Sequence, residues 1–465
     1  MLEAPFRLPC KRLDNIIFFS TLPYLFWGLT GQIKLSMRIF LSFVLFISAL
    51  NYLTAQSVSK QSCYAEKLLQ KQIEKNPEYY QQQEKNVQKF IANYKPSRFK
   101  DNGTPIITIP VVVHVVYNPT QEGSNLSEDL IHFQIWILNE SFRRLNGDTG
   151  NLEDIFKPLG ADIEIEFCLA TIDPDGNPTN GITRTASYLN YNPQTFDGYV
   201  KHSETGGADA WPADKYLNIW SCDMSLVVTQ YVIGYATFPG GDPSEDGVVI
   251  AWPFFGRTDS PSTAPNNLGR TCVHEVGHWL GLRHIWGDGD CSATDFVEDT
   301  PKADGAHQGD CARGANTCSN EDSFWAGVDP PDMVENYMDY SGDNCMNIFT
   351  LGQKTRMLGF LYTDSLRAAL FNSDKCRVGP DGINENIGSW VAVSPNPVKE
   401  TLSLSSAEMI KDLSIVQVDG KQIVQIQEIN THKVTVPLPY LEKGIYLVYY
   451  RTVSENTGML RFIKD

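Results

Sequence analysis

The chain has 465 residues, of which 42% are hydrophobic and 20% are charged. This composition is typical of a globular protein that is long enough for two or more domains. The formal net charge of -17 argues against nucleic acid or anionic lipid as the main partner, because a protein that neutralises phosphates needs a basic face.

The first recognisable element is an export signal. From Met37 the sequence reads MRIFLSFVLFISALNYLTAQS, in which a cationic Arg38 precedes an apolar run and then small and polar residues. We predict a signal peptide at residues 37–56, cleaved near Ala55. The apolar run is too short for a comfortable membrane span, so we expect no stable span in the mature form. Residues 1–36 have no assigned role, and Met37 is the expected start of translation.

The next segments alternate between polar and apolar patterns. Residues 57–104 are rich in Lys, Gln, Glu and Asn and are too polar to fold alone, so we expect helix or partial disorder there. The run PIITIPVVVHVVY, residues 105–117, predicts a buried strand with His114 as a core histidine. Apolar residues spaced from Ile131 to Leu145 predict an amphipathic helix capped by Ser127.

The remaining patterns divide the chain into two folded domains. ADIEIEFCLA, YLNIWSC and DGVVIAWPFF predict further strands, which gives a mixed α/β domain at residues 105–378. A linker rich in Gly, Pro and Asn follows at residues 379–391. Short alternating strands then predict a small all-β domain, a β-sandwich, at residues 392–465.

Ten cysteines fit an oxidising compartment. Cys10 and Cys63 precede the predicted α/β domain, and none of the ten forms a CxxC pair that would indicate a zinc knuckle. The even number that remains is consistent with disulfides: Cys168, Cys222, Cys272, Cys291, Cys311, Cys318, Cys345 and Cys376. Spacing alone does not give their connectivity.

HEVGHWLGLRH places three of the eight histidines within eleven residues, from His274 to His284. On a helix, His274 and His278 share one face and can reach one metal ion, with Glu275 beside them. Gly281 can adopt the positive φ that ends a helix, and the turn would return His284 as a third ligand. Three imidazoles and an open position describe a catalytic zinc site.

The same motif resembles the extended HExxHxxGxxH signature of the metzincin metallopeptidases. ENYMDYSGDNCM, with Met338 in a Met-turn, DFVEDTP and FTLGQKTRM resemble the pappalysin family, of the ulilysin and mirolysin type. The resemblance covers about Pro105 to Cys376. It implies a zinc endopeptidase with a metzincin α/β fold: a twisted, mostly parallel sheet and an active-site helix below the cleft.

The resemblance also implies residue roles. Glu275 would be the general base and acid, Met338 would support the site from below, and Tyr340 would hydrogen-bond the oxyanion. The family pattern implies two disulfides and a structural calcium ion in the acidic loop after His284. These are Cys291–Cys318 and Cys311–Cys345, with calcium held by Asp295, Asp299 and Thr300.

Two further interpretations concern latency and specificity. The Cys63 thiolate could occupy the open zinc position and keep the enzyme inactive, or it could be an ordinary free cysteine. Cleavage between Asn93 and Asn102, for example at Arg98, would then release it. Some relatives cut before basic residues because an acidic residue precedes the cysteine after the Met-turn, whereas Asn344 stands there in this chain.

The C-terminal domain resembles the sorting domain of the type IX secretion system of Bacteroidetes. The residues that carry the resemblance are SPNPVKETLSL, VDGKQIV, LEKGIYLVYY and the terminal RFIKD. It implies a secreted or cell-surface protein that uses this secretion machinery as a partner and acts on protein or peptide substrates. The alternative is a catalytically silent, metal-binding surface protein of adhesin type, which could dispense with Glu275 or Tyr340; both are present.

Overall fold

The structure is a computed structural model. It describes residues 60–94, 106–225, 230–257, 265–321, 324–376, 391–394, 397–417, 421–453 and 457–464. The predicted signal peptide, the cleavage site at Arg98 and nearly all of the predicted linker lie outside these residues. No helix among the described residues is both long and apolar enough to cross a membrane.

The central sheet contains seven strands and is mostly parallel, as predicted. Its order is β1-β6-β7-β5-β2-β3, with β4 also paired to β2, and only the β6–β7 pair is antiparallel. The strands are β1 (Lys60–Cys63), β2 (Ile107–Tyr117), β3 (Ile165–Leu169), β4 (Ile182–Ala186), β5 (Leu217–Cys222), β6 (Gln230–Ala236) and β7 (Val248–Ala251).

The apolar run in β2 explains its central position, because a parallel strand is covered on both faces. His114 lies in this strand as a core histidine, with its ring nitrogens 2.8 Å from Thr183 Oγ1 and 3.0 Å from Asn218 Oδ1. Burial lowers the pKa of His114 to about 4. The ring is therefore neutral and structural.

The described residues of the α/β domain and of the segment before it include six α-helices. They are α1 (Ala65–Lys75), α2 (Pro77–Asn93), α3 (Glu128–Phe142), α4 (Arg270–Trp279), α5 (Leu351–Thr363) and α6 (Ser365–Ala369). Ser127 caps α3 as predicted, since its side chain accepts a hydrogen bond from Leu130 N. The helix ends at Phe142, however, so Leu145 lies beyond it and is exposed rather than part of the apolar stripe.

The polar segment before the α/β domain is ordered by contact with that domain. Strand β1 adds to the sheet beside the edge strand β6, and α2 packs against α5. Val87 of α2 is fully buried, and the ring of Phe90 stacks on Tyr362 with centroids 5.5 Å apart. The apolar surface that this segment lacks by itself is therefore supplied by the domain.

The C-terminal domain is a separate antiparallel sheet of six strands with its own core. The long strand β11 pairs with β10, β12, β13 and β14, and β14 pairs with β15. The strands are β10 (Val391–Ser394), β11 (Thr401–Gln417), β12 (Gln422–Ile426), β13 (Thr431–Pro437), β14 (Gly444–Thr452) and β15 (Thr457–Lys464). The two remaining strands, β8 (Gln308–Gly309) and β9 (Tyr340–Ser341), belong to the α/β domain and form a two-stranded sheet there. Strand β10 begins one residue before the predicted boundary.

Three disulfides close the α/β domain: Cys291–Cys318, Cys311–Cys345 and Cys168–Cys376. The third links the end of this domain to the edge strand β3. Cys222 and Cys272 are buried free thiols, so the eight cysteines are not all paired. Burial raises the pKa of both thiols, as expected for unreactive core cysteines.

Candidate active site

Helix α4 presents His274 and His278 on one face, as their spacing predicts. Their Nε2 atoms lie 3.0 Å apart, and both rings are buried. Glu275, the residue between them in this turn, is also buried and points toward strand β6. The helix thus supplies two nitrogens that could bind a metal ion and one carboxylate to the same region.

The third histidine returns through a turn at Gly281. The φ of Gly281 is +88°, and a Cβ there would lie 2.1 Å from the ring of Phe360. Glycine is therefore required both by backbone conformation and by space. The turn brings Nε2 of His284 to 3.1 Å from Nε2 of His278.

The Nδ1 atoms fix the tautomers of the three rings. Each Nδ1 faces an oxygen acceptor: His274 faces Tyr337 O at 2.7 Å, His278 faces Leu282 O at 2.9 Å, and His284 faces the Asp288 carboxylate. Since a carbonyl or carboxylate oxygen accepts, Nδ1 carries the hydrogen and each Nε2 presents a lone pair. Three converging lone pairs fit zinc, which binds imidazole nitrogen at about 2.0–2.1 Å.

The pKa values of His274 and His278 agree with this donor set. Burial lowers the pKa of His274 to about 3, and the neighbouring ring of His284 contributes. The same causes lower the pKa of His278 well below its usual value. Both rings are neutral at physiological pH, which is the form that binds metal.

Cys63 joins the three histidines. Its Sγ and one nitrogen from each of the three rings lie within 4.8 Å of one another, the one such group of three or more potential metal ligands among the described residues. Pairing of β1 with β6 places Cys63 opposite Gly234. A Cβ at Gly234 would lie 2.7 Å from Oε1 of Glu275, so glycine allows this close approach.

Glu275 contacts the same thiol. Sγ of Cys63 donates a hydrogen bond to Oε2 of Glu275 at 3.3 Å. Burial raises the pKa of Glu275 to about 8, although the hydrogen bond from Cys63 lowers it. A carboxyl group whose pKa lies near neutrality is suited to accept and return a proton.

Tyr340 packs against His284 and Trp286 and reaches the backbone of Cys63. Its ring centroid is 4.9 Å from that of His284 and 4.9 Å from that of Trp286. Its hydroxyl accepts a hydrogen bond from Cys63 N at 3.2 Å and lies 3.5 Å from Cys63 O. The backbone of Cys63 therefore engages the hydroxyl that sequence analysis assigned to the oxyanion.

Met338 lies beneath α4, fully buried. A Cβ at Gly277 would lie 2.5 Å from Sδ of Met338, so the helix rests directly on this side chain. Asn336 fixes the turn, since its Oδ1 accepts from Met338 N at 2.9 Å and its amide exchanges two hydrogen bonds of 2.9 Å with Gln353. Gln353, in the segment FTLGQKTRM, thus supports the turn that contains Met338.

The acidic loop only partly matches the predicted calcium ligands. Thr300 donates to Oδ2 of Asp295 at 2.7 Å, so these two residues are adjacent and buried. Asp299 instead directs both oxygens to the start of α5, accepting from Thr350 Oγ1 at 2.6 Å and Gly352 N at 2.7 Å. The structure thus gives Asp299 a helix-capping contact.

The two residues before Cys345 differ in environment. Asn344 is exposed. Asp343 is fully buried and accepts hydrogen bonds from Leu268 N at 2.7 Å and Arg270 N at 3.2 Å. Through its Oδ2 atom, Asp343 therefore supports the start of α4.

Sequence reasoning missed two arginines at the end of α4. Arg356 donates to Gly281 O and Arg367 donates to Trp279 O, each from Nε at 3.0 Å. Arg356 stands in FTLGQKTRM, but nothing in the motif indicates which backbone oxygen its side chain reaches. Only the packing of α5 and α6 against α4 reveals these contacts.

Two family models match the chain. Residues 201–362 match the peptidase M43 family, described as pregnancy-associated plasma protein-A. Residues 392–464 match the secretion system C-terminal sorting domain. The first match contains all three histidines, Glu275 and Met338, and the second coincides with the separate C-terminal sheet.

Solved structures and curated proteins agree with these matches. Promirolysin of Tannerella forsythia is 39% identical, with a TM-score of 0.54, over 64% of this chain and 94% of that chain. Mature mirolysin of T. forsythia is 43% identical, with a TM-score of 0.51, over 58% of this chain and 97% of that chain. An extracellular metalloprotease of Pyricularia oryzae is 41% identical over 27% of this chain, and the match spans only 42% of that relative.

Proposed function

The chain belongs to the pappalysin family of metallopeptidases, peptidase M43, and we propose that it is a secreted zinc-dependent endopeptidase made as a latent precursor. The observation that carries the proposal is the convergence of three unprotonated Nε2 atoms beside Glu275. His274, His278 and His284 would hold the zinc. The metallopeptidase domain would comprise residues 105–378.

The chemistry of this site divides between metal and protein. Zinc bound by three histidines supplies a Lewis acid that lowers the pKa of a coordinated water to about 7. Glu275 would take the proton from the attacking water and later return it to the leaving amine. Its burial beside the histidines supports this role, because the raised pKa suits both steps.

Tyr340 and Met338 would serve the same reaction in different ways. The Tyr340 hydroxyl would donate a hydrogen bond to the oxygen on which negative charge develops. Its position against His284 and Trp286 supports this assignment. Met338 would hold α4 in place through its contact at Gly277.

We propose that Cys63 keeps the precursor inactive. Its thiolate would fill the fourth position of the zinc, and its backbone would occupy the Tyr340 hydroxyl. The short distances from Cys63 to Glu275 and Tyr340 support this over an ordinary free cysteine. Activation would follow cleavage between Asn93 and Asn102, with Arg98 as the proposed site, and departure of the pro-segment at residues 57–104.

Export would use both ends of the chain. A signal peptide at residues 37–56 would direct passage across the inner membrane. The C-terminal domain at residues 392–465 would then engage type IX secretion machinery, a role supported by the sorting-domain match. Protein or peptide substrates are the partners that follow from a secreted endopeptidase.

We further propose a structural calcium ion near Asp295 and Thr300. Burial raises the pKa of Asp295 to about 7, a cost that a bound cation would offset. Calcium prefers carboxylate and hydroxyl oxygen. Micromolar calcium should raise the melting temperature of wild type but not of Asp295→Asn, measured by calorimetry; equal shifts in both proteins would refute the site.

Hydrolysis of an unbiased peptide library tests the main proposal. The processed enzyme is assayed beside Glu275→Ala and beside a chelated sample with zinc restored. We expect cutting by the wild type, none by Glu275→Ala, and recovery on addition of zinc. If folded, zinc-loaded wild type cuts nothing, the alternative of a silent metal-binding surface protein replaces the peptidase.

A further inference from the structure

Arg356 and Arg367 share one binding pattern but have different carboxylate partners. The terminal nitrogens of Arg367 bind both oxygens of Asp246 at 2.9 and 2.8 Å, within the α/β domain. Those of Arg356 bind both oxygens of Glu84 at 2.8 and 2.9 Å. Glu84 lies on α2, in the proposed pro-segment. Arg367 therefore keeps its carboxylate on maturation, whereas Arg356 loses it.

The Arg356 site is rigid. Its guanidinium packs against the rings of Phe296 and Phe360, with its central carbon 5.2 Å from each ring centroid, and the residue is 2% exposed. Nε is engaged by Gly281 O, so both terminal nitrogens face Glu84. Arg283 adds a second positive charge over the same Phe296 ring at 4.7 Å. This geometry is preorganised for one bidentate carboxylate.

Two acidic residues of the domain that lie near Arg356 form hydrogen bonds with other groups. Asp295 accepts hydrogen bonds from Thr300 Oγ1 and Val297 N. Asp288 binds Nδ1 of His284. Departure of Glu84 would therefore leave a partly buried guanidinium without a carboxylate, an unfavourable state that an external anion relieves.

We propose that the processed enzyme has a carboxylate-binding site at Arg356 that accepts a glutamate or aspartate side chain of an acidic peptide. The proposal rests on the proposed removal of the pro-segment. Because Arg356 also binds Gly281 O, in the turn that carries His284, the site is connected to the metal ligands. An acidic peptide bound there would occupy the position that Glu84 holds in the precursor.

Peptide binding to processed enzyme tests the site. The enzyme carries Glu275→Gln and is processed in trans, so the readout does not depend on hydrolysis. The probe is a labelled peptide of residues 77–94, which lacks Cys63, and its affinity is measured by fluorescence anisotropy. Peptides with Glu84→Gln and with Glu78→Gln are compared; both lose one charge, but Glu78 is exposed at the start of α2.

We expect the Glu84→Gln peptide to bind at least about tenfold more weakly than the other two, because a charge-assisted bidentate contact is lost. Arg356→Lys enzyme should discriminate less strongly against the Glu84→Gln peptide, since lysine keeps the charge but cannot form the fork. An unrelated oligoglutamate should displace the probe, and oligoglutamine should not. Equal affinities for the three peptides on wild-type Arg356, or no displacement by oligoglutamate, would overturn the site.

The outcome is separable from that of the proposed function. Failure of the peptidase assignment would appear as absence of hydrolysis by zinc-loaded wild type, while peptide binding is scored without turnover. A circular-dichroism melt of Arg356→Lys checks that the variant is folded. If it is not, the Glu84→Gln and Glu78→Gln comparison on unaltered Arg356 still decides the question.

Discussion

Sγ of Cys63 lies 3.3 Å from Oε2 of Glu275, within the same cluster as the three histidines. The Cys63 side chain therefore contacts Glu275 and lies beside the ring nitrogens that would hold the zinc. The parallel pairing of β1 with β6 sets this position, since it places Cys63 opposite Gly234. The proposed latency would thus depend on strand pairing as well as on thiol chemistry.

Replacement of Cys63 should activate the precursor. In Cys63→Ala, the fourth metal position is free for water, so we expect precursor activity at least about tenfold above that of wild-type precursor. A fluorogenic peptide assay on unprocessed protein measures this. Cys222→Ala, which removes another buried thiol, should remain latent. If the Cys63→Ala precursor has no activity before processing but becomes active after it, the thiol is not what keeps the precursor inactive.

Loss of the Tyr340 hydroxyl should slow turnover by the processed enzyme. Tyr340→Phe removes a donor that acts in the transition state, so kcat should fall by about 100-fold to 1,000-fold with little change in KM. Steady-state kinetics measure both constants. Tyr362→Phe, an exposed tyrosine, is the matched control. A change confined to KM would instead assign Tyr340 to substrate binding.

Asp288 should influence zinc affinity through His284. Its carboxylate accepts from Nδ1 of that ring and fixes the tautomer. Asp288→Asn should weaken zinc binding by about 10-fold to 100-fold, as measured by competition with a chromophoric chelator. Asp290→Asn alters an exposed neighbour and should bind zinc normally. Identical affinities for the two variants would remove this role.

His307 should make stability depend on pH. The carboxylates of Asp332 and Asp339, which lie 3.1 and 3.6 Å from its ring nitrogens, raise the pKa of His307 to about 10, well above its usual 6.5. The contribution of His307 to the free energy of unfolding is fully present below pH 6.5. It is lost as pH rises through about 10, where the folded protein releases the proton from this ring. His307→Gln should cost about 1–3 kcal/mol of unfolding free energy at pH 6 and much less at pH 10.

Urea unfolding of wild type and His307→Gln across this range checks the expectation. His202→Gln, which lies outside this loop, provides the control. A difference between wild type and His307→Gln that stays constant from pH 6 to pH 10 would contradict the assignment. It would indicate packing rather than charge as the contribution of His307.

The arrangement of the three histidines was predictable because these residues lie close together in the sequence. The positions of His274 and His278 follow from helical periodicity, and the return of His284 follows from a single glycine with positive φ. The β-branched run of β2 indicated a buried strand, while the mostly parallel sheet was implied by the resemblance to the metzincin peptidases. These features need few residues and no knowledge of distant contacts.

The contacts that the sequence did not reveal are long-range. Glu84 and Arg356 are 272 residues apart, and Cys168 pairs with Cys376 across 208 residues. Neither spacing nor composition indicates such partners, since each depends on how α2, α5 and β3 pack. The end of α3 was also misplaced, because an apolar residue at helical spacing need not be buried, as Leu145 illustrates.

X-ray absorption at the zinc edge of full-length precursor and processed enzyme tests the central claim most directly. We predict that zinc in the precursor has three imidazole nitrogens at about 2.0–2.1 Å and one sulfur at about 2.3 Å, and that sulfur is absent after processing. Zinc without a sulfur ligand in the precursor, or a folded protein that takes up no zinc, would contradict the account.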